Sequence, residues 1–184
     1  MANIVYVGGM HSVGKSTILQ RVKSRGLIDY EFVGFSFEMA KLAGTSSDNL
    51  NGLPYNQRVT LVNEVYNNIF FSGKDIIVDS HYSVLSEDPM PIRFEIGVPE
   101  RYIKNFAGFV LFEARLETIC KRRIKDNETA TRRNKTAIRL ETCIERLFAQ
   151  HITRLAGKRL YIISASRCIE RICEDFEEIT RKIG

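Results

Sequence analysis

Residues 3–23 constrain the fold more than any other stretch of this chain. Asn3 to Val7 is a short apolar run rich in β-branched residues, and the loop Gly9-Met10-His11-Ser12-Val13-Gly14-Lys15-Ser16 follows at once. Helix-forming residues then run from Lys15 to about Lys23, with Ile18, Leu19 and Val22 on one face and Gly26 as a stop. An apolar run bounded by glycines reads as a buried strand. The unit is therefore strand, glycine loop and helix, at the very start of the chain.

The rest of the sequence repeats this alternation. Tyr30 to Gly34, Asp75 to Asp79, Ala107 to Phe112 and Leu160 to Ile163 are further strand-like runs. Between them, Leu61, Val62, Val65 and Ile69 recur at helical spacing after Pro54, and Leu116 to Ile124 forms another helical stretch. A long helix follows, with Leu140, Ile144, Leu147, Phe148, Ile152 and Leu155 assigned to its inner side, and the last helix carries Ile169, Ile172, Cys173, Phe176 and Ile179. Strands that are nearly continuous in apolar residues, alternating with helices, imply a parallel sheet covered on both faces. Right-handed crossovers make the fold class α/β, a doubly wound three-layer α/β/α arrangement with about five parallel strands. At 184 residues and 44% hydrophobic content a single domain over 1–184 is expected. Two stretches depart from the pattern: Leu85 to Pro99, with three of the chain's four prolines, reads as an extended loop or hairpin, and the charge-dense segment 121–135 reads as a helical lid around a turn.

The loop itself has a clear chemistry. Gly-x-x-x-x-Gly-Lys-Ser between a strand and a helix aims successive backbone N–H groups at phosphate oxygens, because the two glycines allow angles that other residues resist. The start of the following helix adds its dipole. Gly9, Met10, His11, Ser12, Val13, Gly14, Lys15, Ser16 and Thr17 are thus the expected nucleotide-binding set. Lys15 is expected to reach the β and γ phosphates, and Ser16 to complete the shell of Mg²⁺. The donor implied is a nucleoside triphosphate, ATP, with Mg²⁺ as cofactor. Ser12 stands where many such loops carry a third glycine, with its side chain near the γ phosphate.

Asp79 closes an apolar strand and precedes Ser80 and His81. Strand C-termini in an open α/β sheet face the ligand crevice, so Asp79 is expected to hold Mg²⁺ through water or to accept a proton from the attacking oxygen. His81 is a candidate substrate contact, or a hydrogen-bonded structural histidine. Arg122, Arg123, Arg132 and Arg133 flank the turn of the lid segment. Planar guanidinium groups match a transferring phosphoryl group, and a closing flap excludes water, although a solvated basic helix end has the same composition.

These residues resemble the small nucleotide kinases of the P-loop fold, most closely archaeal-type adenylate kinases and their ATP-binding relatives. The resemblance rests on the loop from Gly9 to Thr17, the segment Gly34-Phe35-Ser36-Phe37-Glu38-Met39, and the helix start Asn56-Gln57-Arg58. The strand end Val78-Asp79-Ser80-His81 and the arginine-rich turn complete it. It implies an ATP- and Mg²⁺-dependent phosphotransferase, with a nucleoside monophosphate as acceptor. Ser36, Arg58 and His81 would then face the acceptor, while Arg122 and Arg132 close over the phosphates. Lys15, Asp79, Arg122 and Arg132 are the catalytic candidates, and Ser16 and Asp79 the metal candidates. A kinase of a nucleoside or other small metabolite is the alternative within this class. A nucleotide-dependent regulatory module that binds protein or RNA is the alternative outside it.

Composition narrows the setting. A net charge of +5 suits an anionic ligand and leaves nucleic acid open, but no aromatic interleaving marks a nucleic-acid surface. Cys120, Cys143, Cys168 and Cys173 form no Cys-x-x-Cys pair, so helix-borne thiols, buried or half-buried in a reducing compartment, are expected rather than disulfides or zinc. No apolar run is long enough to span a bilayer, and no secretory leader is visible, so a cytoplasmic location without a membrane partner is the expectation.

Overall fold

The computed structural model describes residues 2–86, 93–126 and 134–184. Its chain order is β1 (Ile4–Gly8), α1 (Lys15–Arg25), β2 (Glu31–Gly34), α2 (Phe35–Ala43), a 3-10 turn (Ser47–Gly52), α3 (Tyr55–Phe71) and β3 (Ile76–Asp79). There follow β4 (Ser83–Ser86), β5 (Arg93–Ile96), α4 (Glu100–Ile103), β6 (Gly108–Glu113), α5 (Leu116–Lys125), α6 (Lys135–Ala156), β7 (Leu160–Ser164) and α7 (Ile169–Ile183).

Five of the strands form one sheet in the order β2-β3-β1-β6-β7, and every pairing in it is parallel. This is the expected α/β arrangement. β1 is buried along its whole length because it sits at the centre, and its side chains alternate between two cores. Ile4 and Tyr6 point into a cluster with Phe35, Leu61, Val65 and Ile69, while Val5 and Val7 point into one with Ile18, Val22, Ile172 and Phe176. Helices thus cover both faces. Each fully buried Ile or Val in these layers contributes roughly 1.5–3 kcal/mol relative to exposure. The register sets Val7 of β1 and Gly34 of β2 opposite Asp79 of β3, so three strand ends finish at one level. β4 and β5 form a separate antiparallel pair, which answers the hairpin alternative for the stretch Leu85 to Pro99. Among the described residues no helix is long and apolar enough to cross a membrane.

Several expectations need correction. The inner face of α6 matches the apolar spacing only in part: Ile152 is buried and Phe148 and Leu155 pack against the core, but Leu140 and Leu147 are each 56% exposed, and Ile138, Glu145, Ala149 and Thr153 complete the buried face. The buried face mixes polar and apolar residues, so a search for apolar periodicity alone makes the stripe too wide on one side and misses Glu145 and Thr153 on the other. Residues 35–43 and 47–52, read only as a motif and its surroundings, are helical. The four cysteines are free thiols, but Cys143 and Cys168 are exposed, and Cys168 stands at the N-cap of α7 rather than within it. Arg123 is no solvated helix end: it is 1% exposed, and its Nη2 lies 2.7 Å from Glu141 Oε2, tying α5 to α6. Arg132 and Arg133 lie outside the described residues.

Candidate active site

The donor loop spans the step from β1 to α1, and its two outer glycines are required by geometry. Gly9 has φ 152°, and a Cβ there would come within 2.7 Å of the Phe112 carbonyl oxygen. Gly14 has φ 93°, and a Cβ would press to 2.9 Å from Arg122 Nη1. Between them Ser12 holds φ 64°, alone among described non-glycine residues in that region. The left-handed conformation is unfavourable for a residue with a Cβ, so Ser12→Gly is expected to stabilise the protein. The expected gain is about 0.5–1 kcal/mol, once the extra chain entropy of glycine is subtracted. For a chain of this size that corresponds to a rise of roughly 1–4 °C in Tm by calorimetry. An unchanged or lower Tm would mean that the hydroxyl contributes more than the strain removes.

Lys15 lies at the first position of α1 and is 8% exposed, and its Nζ is ion-paired with Asp79 Oδ1. Ser16 Oγ donates to Asp79 Oδ2 at 3.4 Å. A hydroxyl and a carboxylate side by side at the mouth of the loop are hard oxygen donors. They fit Mg²⁺, which keeps several waters and uses few protein ligands. The residues present therefore suit the ion that the loop implies.

His81 is half-buried beside them, with its ring 4.5 Å from that of His11 and its Nδ1 4.0 Å from Glu145 Oε1. Burial holds its imidazole well below the ordinary histidine range; the Lys15 ammonium and His11 add to this, and a hydrogen bond with the Gly9 backbone partly opposes it. His81 is neutral at pH 7, a hydrogen-bonding group and no cation. The linkage has a definite sign. Below the unfolded value near 6.5 the unfolded chain takes up a proton that folded His81 refuses, so stability falls as pH drops through 6.5 toward the depressed folded value. Lowering the pH from about 7.5 to about 5 is expected to reduce Tm more steeply in the wild type than in His81→Gln. Parallel curves would rule out His81 as the source.

Arg122 is placed differently from a free lid arginine. Its Nη1 donates to the carbonyl of Val13 and, at 3.5 Å, to that of Ser12, while Nη2 donates to the carbonyl of Ala165 at 3.1 Å. Partial burial lowers its pKa from the ordinary arginine value. It packs against the donor loop and ties that loop to the end of β7.

A cleft of about 580 Å³ gathers most of these groups. It is lined by Met10 to Thr17, by Asp79, Ser80 and His81, by Gly34 to Phe37, and by Arg122 and Arg167. The first turn of α2 buries Phe35 in the core and turns Ser36 and Phe37 outward, Phe37 being 66% exposed. Arg58 is the one described candidate apart from Gly9 that does not line the cleft. It sits in the first turn of α3, which packs against α2, with its Nε buried and no hydrogen-bond partner among the described residues.

Glu145 is the residue bordering the site that apolar periodicity missed. From α6 it reaches the backbone of both the donor loop and the segment after β3. A lone glutamate among Ile138, Ala149 and Ile152 on one helical face was the available signal.

Residues 8–141 match the AAA domain family. Among curated proteins none matches the chain. Similar solved structures include shikimate kinase from Acinetobacter baumannii in complex with shikimate, with a TM-score of 0.64 and 12% identity over 99% of this chain and 94% of that one. Shikimate kinase from Bacteroides thetaiotaomicron gives a TM-score of 0.60 and 11% identity over 97% and 98% of the two chains. A gluconokinase from Sinorhizobium meliloti 1021 gives 0.50 and 11% over 99% and 93%. At such identities the likeness is one of fold. This chain belongs to the AAA domain family and has the fold of the small P-loop kinases.

Proposed function

We propose that this protein transfers the γ-phosphoryl group of ATP to a small acceptor. The observation that carries the reading is the convergence of Lys15, Ser16 and Asp79 on the donor loop, in a cleft that continues past His81 to Ser36 and Phe37. A switch protein needs only the first half of that cleft; a transferase needs room for a second substrate beside the phosphates.

In this reading Lys15 draws the β and γ phosphate oxygens, and the loop amides hold them in line with the acceptor. Asp79 orients the attacking oxygen or takes its proton, and with Ser16 it would hold Mg²⁺. When bound, Mg²⁺ offsets the charge of the phosphate oxygens. Neutral His81 accepts or donates a hydrogen bond at the acceptor without adding charge. Arg122 keeps the loop in shape, and Arg132 is the further cation proposed to act on the phosphates.

The acceptor is a nucleoside monophosphate. Support comes from the resemblance to archaeal-type adenylate kinases and from two features of the acceptor end. Phe37 offers a planar face to a base, and Arg58, on the helix that packs against α2, forms no salt bridge among the described residues and has a buried Nε without a hydrogen-bond partner there. A second reading, a small hydroxylated metabolite, is favoured by the solved shikimate kinases and gluconokinase that share the fold. Purified protein incubated with Mg-ATP and a panel of nucleoside monophosphates, nucleosides and small hydroxy acids separates the two. A phosphorylated nucleotide supports the first reading and a phosphorylated metabolite the second. Hydrolysis that ignores every acceptor would sink both.

A further inference from the structure

The parallel ladder between β1 and β3 ends where Ser80 N donates to the Val7 carbonyl at 3.0 Å. Beyond that point the two chains part, one into the donor loop and the other toward the acceptor end of the cleft. A single side chain from a third element bridges the gap. Glu145 Oε1 accepts from Gly9 N at 3.0 Å and from Tyr82 N at 2.8 Å, while Oε2 accepts from Ser83 N at 2.9 Å and Ser83 Oγ at 2.6 Å. Tyr6 Oη, from below, donates to the His81 carbonyl at 2.5 Å. The backbone of His81 is thus held on both sides.

Burying a carboxylate on this face carries a desolvation cost that its hydrogen bonds have to offset. Glu145 is 3% exposed, on a face whose other members include Ile138, Ala149 and Ile152, and an apolar residue would suit that face without desolvating a charge. What a carboxylate provides, and an alkyl group does not, is two acceptor atoms at a fixed separation. They satisfy three backbone amides that have left the ladder, and they fix the distance between them. α6 supplies a rigid mount, since Asn134 caps its start by accepting from Thr136 N at 2.8 Å and Ala137 N at 3.2 Å.

We infer that Glu145 is a positioning residue: it locks the first glycine of the donor loop to the segment after Asp79, so that phosphates held by the loop and an acceptor held near His81 meet at reacting distance. This rests on the phosphotransferase reading. The residue touches neither substrate, so its effect falls on the chemical step and on communication between the two sites, with little effect on ATP binding.

Two variants and two readouts test it. In Glu145→Gln one acceptor atom becomes a donor, so one side of the brace must open. Turnover is expected to fall by about 10–100-fold, the scale of a misplacement near 1 Å, while the KM for ATP stays within about threefold. Amide hydrogen exchange is expected to quicken together at Gly9, Tyr82 and Ser83, with protection of the remaining sheet amides unchanged. Ser83→Ala removes only the hydroxyl bond to Oε2; it is expected to lower kcat by several-fold at unchanged ATP KM, and to add nothing in the Glu145→Gln background. Wild-type turnover in Glu145→Gln, or exchange that rises across the whole sheet, overturns the inference. If Glu145→Gln does not fold, Ser83→Ala decides alone, and an unaltered kcat there overturns it. If the wild type phosphorylates no acceptor, the transfer reading has failed. The brace is then judged by exchange at the three amides, which depends on no activity.

Discussion

Lys15→Ala is expected to abolish phosphoryl transfer, with a loss of about 10³-fold or more, the scale set by charged clamps on a transferring phosphoryl group. The substitution removes the ammonium that the loop presents and deprives Asp79 of its ion-pair partner. The protein is nonetheless expected to fold. Asp79 keeps a side-chain exposure of 20% toward the cleft and the Ser16 hydroxyl beside it, so its charge remains solvated. Circular dichroism melting alongside the activity assay separates lost chemistry from lost structure. A folded variant with the wild-type rate would show that the loop binds phosphate without taking part in transfer.

Asp79→Asn is expected to have the second-largest effect, and its pattern is more telling than its size. Asparagine keeps the shape and one acceptor for Lys15 and Ser16, but it carries no charge and cannot take a proton. If Asp79 acts in the chemical step, kcat falls by about 10²–10³-fold, while ATP affinity by calorimetry changes by only a few-fold. Equal losses in kcat and affinity would mean that the ion pair with Lys15 shapes the loop and does no more. Since Lys15 and Asp79 are direct partners, the double variant should lose much less than the product of the two single losses.

How far the site was legible depended on whether its residues follow one another in the chain. The donor loop is contiguous, and each part of its mechanism depends on local order: glycines where φ is positive, lysine at the helix start, serine next to it. Asp79 was legible for a similar reason, because an acidic residue ending an apolar strand is placed by the strand itself. Arg122 was found as a residue but not as a contact. Its charge suggested a closing flap, whereas its guanidinium is taken up by the carbonyls of Val13 and Ala165, which lie 109 and 43 residues away in sequence. Arg123 was misread because burial of a cation depends on a partner, and Glu141 lies on the next helix. The apolar spacing found α3 and α7, but it placed only part of the buried face of α6. Its inward side includes Glu145 and Thr153, and polar residues on a buried face are invisible to a search for apolar repeats.

The sequence by itself therefore determined the strand–loop–helix unit, the alternating layers that follow from it, and which groups are proposed to bind phosphate. All of these arise from interactions between residues near one another in the chain. Tertiary structure alone decided how the strand ends align and that Ser36 and Phe37 share a cleft with Asp79. It also decided that a glutamate 136 residues beyond Gly9 holds the donor loop in place. Those features depend on backbone amides left over where a ladder ends, and which side chain reaches them is set only when the helices pack.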